Sequence, residues 1–244
     1  MNGVRIGILQ TDSVLDKFQP RFGDYPQMFE RVLKSGAQDI GVQVQCVNYP
    51  TQVAPPPALD CDAYLITGSR DSVYDDLPWI IELVRFIERA LAAGKQILGI
   101  CFGHQLMAHF FGGCVAAAPG GWAVGVHTSE IVQRQNWMGA HTAEQFSLLS
   151  SHKDQVAELP QDAQVFATNE FCPIAGFTMG NQVITVQGHP EFTKPYAQGL
   201  LDHRRDLLGE DIYQRGSASM ARKTDEVLVA RWLLAFVMSH AVAS

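Results

Sequence analysis

A cysteine between two glycines is the first feature of this sequence that could do chemistry. The run Ile-Leu-Gly-Ile-Cys-Phe-Gly-His-Gln occupies residues 97–105, and Gly99 and Gly103 flank Cys101 in the pattern Gly-x-Cys-x-Gly. This pattern is typical of a nucleophile on a strained strand-to-helix turn, where glycines let the neighbouring backbone pack closely. The positive end of a helix dipole at such a turn favours the thiolate, which is the nucleophilic form. Cys101 is therefore the candidate nucleophile.

A histidine and a glutamate follow a second apolar strand far downstream. The run Val-Ile-Thr-Val-Gln-Gly-His-Pro-Glu occupies residues 183–191 and ends on His189 and Glu191. Side chains two residues apart in an extended segment point the same way, so Glu191 can hold one ring nitrogen of His189 while the other faces a thiol. Pro190 cannot donate to a strand ladder, which puts both residues at the exit of the strand.

Cys101 also has a purely structural interpretation. A buried cysteine without function is the commoner fate of this residue type, and Gly-x-Cys-x-Gly alone does not decide between the two. The histidine and glutamate at the end of the second strand favour the nucleophile.

These residues carry a resemblance to a known family. Cys-Phe-Gly-His-Gln at 101–105 and His-Pro-Glu at 189–191 resemble the motifs of the class I, or triad, glutamine amidotransferases, and Ser-His-Lys-Asp at 151–154 and Pro-Ile-Ala-Gly-Phe at 173–177 match further segments of that family. The resemblance implies a catalytic triad of Cys101, His189 and Glu191. It also implies a flavodoxin-like, mostly parallel sheet with helices on both faces and a small antiparallel layer. The length of 244 residues and the lack of an obvious linker fit one α/β domain over residues 1–244.

The resemblance implies an oxyanion hole made of backbone N–H groups from Phe102 and Ser69. In the family, the loop at Gly68-Ser69 donates one of these groups, commonly from the second of two glycines, and serine takes that place here. A serine is penalised at positive φ where glycine is not, so we expect a cost if the loop needs that conformation. The Gly-Ser pair also resembles the γ-glutamyl peptide hydrolase branch.

Three more residues are expected to contact the substrate, together with Gly68. Gln105 lies one helical turn after Cys101 and so on the same face, where the resemblance implies contact with a bound γ-glutamyl group. The resemblance also makes the backbone of Ser151 and His152 a ledge for the substrate carboxylate. A helix N-cap before a helix over residues 153–158 is an alternative for Ser151, and the two are compatible.

The elements that must position these residues alternate between strands and helices. Short apolar runs predict buried strands, and apolar residues at helical spacing predict amphipathic helices. The predicted strands are Val4–Leu9, Val42–Val47, Ala63–Thr67, Ile97–Ile100, Val124–Val132, Val165–Thr168, Ile174–Phe177 and Val183–Gln187. The predicted helices are Tyr25–Ser35, stopped at Gly36, then Trp79–Ala93, His104–Phe111, Tyr196–Leu208 and Glu226–His240.

Composition narrows the classes of partner and compartment. The 244 residues carry a net charge of −7 without a basic stripe, which argues against nucleic acid as a partner. The five cysteines are scattered and lack Cys-x-x-Cys spacing, which favours a reducing cytoplasm and argues against a disulfide framework or a metal site. We see neither an apolar leader nor a bilayer-spanning stretch, so no membrane association is expected. No cofactor is expected, and the sequence has no nucleotide-binding Gly-x-x-x-x-Gly-Lys-[Ser/Thr] loop.

The sequence thus predicts a cysteine hydrolase of a small γ-glutamyl amide, either glutamine or a related compound. The run Arg-Phe-Gly-Asp-Tyr-Pro at 21–26 resembles stand-alone family members. One alternative is a glutaminase subunit that delivers ammonia to a separate synthetase. A second is a dienelactone-hydrolase-type enzyme, against which the adjoining His189-Pro190-Glu191 argues. A third is a non-catalytic binding protein, usually marked by a damaged triad.

Overall fold

Strands and helices alternate along the first half of the chain. The computed structural model describes residues 3–56, 58–139 and 143–241. The first elements are β1 Gly3–Gln10, α1 Gln19–Phe22, α2 Tyr25–Asp39, β2 Gln43–Pro50, β3 Ala63–Ile66, α3 Pro78–Ala92, β4 Gln96–Ile100 and α4 Phe102–Phe110.

The second half begins with strands and closes with helices. Its elements are β5 Cys114–Ala117, β6 Ala123–Ile131, a 3₁₀ turn Asn136–Met138, β7 Gln145–His152, β8 Asp154–Glu158, β9 Ala163–Thr168, β10 Gly176–Met179, β11 Val183–Val186, α5 Lys194–His203, α6 Arg205–Leu208, α7 Glu210–Ser219 and α8 Glu226–Ala241.

The main sheet has a parallel and an antiparallel half. In the described part of the chain its order is β2-β1-β3-β4-β11-β10-β9-β6-β7. The five strands from β2 to β11 pair in parallel, and the remaining neighbours pair antiparallel. Strands β5 and β8 form a separate two-stranded antiparallel sheet. The predicted α/β class with a parallel sheet and a small antiparallel layer is confirmed.

Helices cover both faces of the parallel strands. On one face, Ile6 and Ile8 of β1 pack in a core with α2 and α8, which contributes the buried Trp232. On the other, Leu9 and Ile97 pack in a core with α3 and α4. Buried strands therefore carry apolar residues on both sides, which explains their continuous apolar runs. In the described residues, no helix is long and apolar enough to cross a membrane.

The prediction that α2 stops at Gly36 is wrong. The helix begins as predicted, with Asp24 and Gln27 in a reciprocal capping box and Pro26 in the first turn, but it continues to Asp39. Gly36 faces α8, where an added Cβ would lie 2.9 Å from the Cβ of Ala230. The glycine permits a close helix–helix contact instead of ending the helix.

Two other predictions for the elements differ from the structure, and two helices had not been predicted. Residues 154–158 form strand β8, so the alternative of a helix capped by Ser151 is wrong. The single helix predicted over residues 196–208 is two helices that meet at Arg204. Helices α1 and α7 were not predicted, and both are short and polar enough to resemble loops.

Replacing Gly36 by alanine tests the close contact of α2 with α8. In an exposed helix, Gly→Ala stabilises by about 0.5–1 kcal/mol, whereas overpacking a tight contact costs about 1–3 kcal/mol. We expect the contact to dominate, so the free energy of unfolding in urea should fall. The neighbouring surface variant Ser35→Ala is the control and should change it by less than about 0.5 kcal/mol. A stabilised Gly36→Ala variant would contradict this packing.

Candidate active site

Cys101 sits on a tight turn between β4 and α4. Its backbone has φ 50° and ψ −95°. Among the described residues, Cys101 is the one non-glycine residue whose φ is positive. Such backbone strain costs on the order of 1–3 kcal/mol and is typical of functional sites. A Cβ on Gly103 would lie 2.7 Å from the Cβ and the carbonyl oxygen of Ile66, so the turn requires glycine there. The predicted strand-to-helix geometry is present.

The turn presents an unpaired backbone donor beside the thiol. Cys101 is the N-cap of α4 and Phe102 its first helical residue. The first N–H groups of a helix have no acceptor within the helix, so the Phe102 N–H is free of helical bonding. Cys101 as a whole residue is 5% exposed, and its backbone N–H donates to the Val186 carbonyl at 3.0 Å. This bond ties the turn to β11, the strand that leads to His189.

His189 is fixed on four sides. Its N–H donates to the Leu149 carbonyl at 2.8 Å, and its ring stacks on Phe192 with 3.9 Å between centroids and 11° between planes. Its Nδ1 lies 2.8 Å from Oε1 of Glu191, and both side chains are buried. A Cβ on Gly68 would lie 3.0 Å from Cε1 of His189 and 3.7 Å from Cβ of Cys101. The Cβ of Cys101 and the imidazole of His189 therefore both lie next to Gly68.

Electrostatics favour the imidazolium form of His189. Burial lowers its pKa, but the Glu191 carboxylate and the neighbouring Cys101 outweigh burial and raise the pKa from 6.5 to about 10. Among the described residues, the other ring nitrogen, Nε2, has no hydrogen-bond partner. His189 can thus hold a proton at neutral pH, and its buried Nε2 is not occupied by another group of the described residues.

The loop Gly68-Ser69-Arg70 is anchored to the end of β1. Both Arg70 Nε and the Arg70 N–H donate to Oδ2 of Asp12, at 2.7 and 3.0 Å, and Arg70 Nη2 donates to Oδ1 at 2.7 Å. The hydroxyl of Thr11 donates to the Gly68 carbonyl at 2.9 Å. Ser69 does not adopt positive φ, so the expected penalty on serine does not arise. Sequence analysis missed Asp12 because the partners are 58 residues apart.

A cavity of about 200 Å³ lies over Cys101 and brings together most of the predicted residues. Its lining includes Ser69, Cys101, Gln105, Ser151 and His152. His189 and Glu191 are buried and are not part of this lining.

The predicted binding residues on the wall of the cavity already have protein partners. Gln105 Nε2 donates to the Asp154 carbonyl at 2.7 Å and to Oε1 of Gln187 at 3.1 Å. His152 Nδ1 lies 3.0 Å from the same Asp154 carbonyl, and burial lowers the pKa of His152 to about 3, so its ring is neutral. Ser151 Oγ accepts from Arg204 Nη1 at 2.7 Å. These bonds hold the side chains of Gln105, His152 and Ser151 in place.

The described residues contain no group of three or more His, Cys, Asp or Glu side chains placed to hold a metal ion. All five cysteines are free thiols.

The fold and this site define a class of protein. Residues 22–202 match the family model described as glutamine amidotransferase class-I, so the chain belongs to that family. It is 30% identical to gamma-glutamyl peptidase 2 of Arabidopsis thaliana over 66% of each chain. It is also 30% identical to a GMP synthase of Listeria innocua, over 69% of this chain but 31% of that enzyme. A solved glutamine amidotransferase from Thermotoga maritima has the same fold, with a TM-score of 0.71 at 19% identity over 99% of both chains.

The pKa of His189 should depend on Glu191. In Glu191→Gln the carboxylate charge is lost and burial dominates, so we expect the pKa to fall from about 10 toward or below 6.5. A raised pKa adds stability that is full below pH 6.5 and is lost as pH rises through about 10. Histidine ¹⁵N NMR against pH measures the pKa, and urea unfolding at the same pH values measures the stability.

The control for this titration is Glu210→Gln, which removes an exposed carboxylate paired with Arg205. It should leave the pKa of His189 unchanged. An equal pKa in wild type and Glu191→Gln would show that the Glu191 carboxylate does not hold the imidazolium.

Proposed function

We propose that this chain hydrolyses γ-glutamyl amides through a γ-glutamyl thioester on Cys101. The observation that carries the proposal is the convergence of the strained Cys101 turn with the buried His189–Glu191 pair. A nucleophile, a base and a group that orients the base form the arrangement used for covalent acyl transfer.

The raised pKa of His189 suggests how protons move. His189 takes the proton of Cys101, and the thiolate attacks the amide carbon to form an S–C bond. The C–N bond then breaks while Nε2 of His189 gives the proton to the leaving nitrogen. Water attacks the thioester carbon while His189 accepts one of its protons, and the C–S bond then breaks to give the γ-carboxylate and the Cys101 thiolate. Glu191 stabilises the imidazolium throughout.

Backbone N–H groups of Phe102 and Ser69 form the oxyanion hole in this proposal. The free first N–H of α4 and the anchored Gly68-Ser69 loop support this assignment. Gly68, Gln105, Ser151 and His152 line or shape the site that receives the γ-glutamyl group. The whole of residues 1–244 acts as one domain, and we place its activity in the cytoplasm, where free thiols are maintained.

We favour direct hydrolysis of small γ-glutamyl compounds over a glutaminase subunit. Similarity to a γ-glutamyl peptidase and the Gly68-Ser69 pair support the first. Similarity to part of a GMP synthase supports the second candidate, in which a separate synthetase receives the ammonia.

Steady-state hydrolysis of glutamine and of γ-glutamyl dipeptides by the purified chain tests the proposal. We expect turnover by the wild-type chain. Cys101→Ser should abolish it, because the hydroxyl of serine ionises far less readily than a thiol. Cys114→Ser alters an exposed thiol outside the site and should retain activity. Turnover by Cys101→Ser would overturn the proposal. Inactivity on every substrate, cured by a co-purifying protein, would favour the glutaminase subunit.

Asp12→Asn should slow the same reaction through the loop at Ser69. An amide oxygen cannot replace both carboxylate oxygens that hold Arg70, so the loop and its N–H donor lose their anchor. Loss of one oxyanion donor typically costs about 10²–10³-fold in kcat, which sets the upper limit of the effect. We expect kcat to fall by about tenfold or more. The control Asp60→Asn breaks an exposed ion pair with Arg5 and should have no effect; equal kcat values in wild type and Asp12→Asn would contradict this role.

A further inference from the structure

Arg204 brings to the cavity a positive charge that the hydrolysis scheme does not use. It lies where α5 meets α6 and lines the cavity over Cys101. Its Nη1 donates to Ser151 Oγ at 2.7 Å, and its Cζ lies 5.4 Å from the centre of the Trp122 ring. The guanidinium is therefore held in place by two neutral groups.

Arg204 differs from the neighbouring arginines in having no carboxylate partner. Arg70 pairs with Asp12, and Arg205 makes two bonds to Glu210 at 2.8 and 2.9 Å. No ion pair of Arg204 occurs among the described residues. A guanidinium has five N–H donors in a planar fork suited to carboxylates, and Ser151 occupies one of them. The remaining donors suit an anionic ligand.

The surroundings of Arg204 also suit an anion. Lys153 lines the same cavity and is exposed, which adds a positive charge there although the chain as a whole has a net charge of −7. The cavity lining also contains two carboxylates, Asp71 and Asp154, and Asp154 begins β8 directly after Lys153. Asp71 follows Ser69 and Arg70, and Oδ2 of Asp154 accepts from the hydroxyls of Ser72 and Tyr74 at 2.6 and 2.9 Å.

We propose that Arg204 binds a carboxylate on the leaving-group side of the substrate. This inference rests on the proposed hydrolysis. The glutamyl unit of every such substrate carries one α-carboxylate, which the Ser151–His152 backbone is expected to bind. Glutamine releases ammonia and has no second carboxylate, whereas a γ-glutamyl amino acid or peptide has one beyond the scissile amide. The preferred substrates are thus γ-glutamyl peptides with a free C-terminal carboxylate.

A pair of substrates that differ in one carboxylate tests this assignment. γ-Glutamylglycine and γ-glutamylglycinamide share the scissile bond, and the amide lacks the C-terminal charge. A hydrogen bond between charged groups predicts kcat/KM at least about tenfold higher for γ-glutamylglycine, mostly through KM. In Arg204→Gln this ratio should fall to about one, and Arg204→Lys should retain part of it.

The adjacent variant Arg205→Gln is the matched control, because Arg205 pairs with Glu210 outside the cavity lining. It should keep the wild-type ratio. A wild-type ratio near one, or a ratio that survives Arg204→Gln, would overturn the assignment of Arg204 while leaving hydrolysis intact. A wild-type chain that cleaves neither compound nor glutamine would instead overturn the proposed function, and this inference with it.

Discussion

The buried contact between His189 and Glu191 is the interaction on which the candidate site depends. Burial alone would keep the histidine neutral, and the carboxylate 2.8 Å away reverses that preference. Leu149 holds the backbone of His189, and Phe192 stacks on its ring, so the imidazole has little freedom to turn away from Cys101. Burying a charge pair removes both groups from water, and only such close geometry offsets that desolvation cost. Loss of either partner would leave an uncompensated buried charge. The base and the nucleophile thus follow two neighbouring parallel strands, β11 and β4, and Leu149 of the antiparallel strand β7 holds the base in place.

Strain and anchoring complete the arrangement. Cys101 occupies an unfavourable backbone conformation, which the surrounding close packing of Gly103 against Ile66 maintains. The loop that carries Ser69 is held in place because Arg70 of the same loop donates hydrogen bonds to Asp12. The reactive groups therefore come from strand ends and short loops, and each is tied to a second element by hydrogen bonds. Such preorganisation suits a site that must stabilise charge as it develops.

Sequence patterns predicted the parts of the structure that depend on local order. The apolar runs marked the buried strands, and the residues after them gave Cys101, His189 and Glu191. Features that depend on distant contacts or on a bend of the chain could not be predicted from local patterns. Asp12 anchors Arg70 across 58 positions, and Phe192 stacks on His189 because the chain bends after β11. Gly36 was wrongly predicted to end α2, because its role is to allow close packing against α8. Residues 154–158 resemble the start of a helix in sequence but pair with β5 as a strand. The roles of individual site residues remain predictions.

Covalent trapping tests the central claim most directly. Wild-type protein mixed with a γ-glutamyl dipeptide, quenched in acid within one turnover and digested, is analysed by peptide mass spectrometry. We expect a γ-glutamyl adduct on the peptide that contains Cys101, with none on the peptides of the other four cysteines. Substrate turnover without an adduct on Cys101, or with the γ-glutamyl group on another residue, would contradict the account.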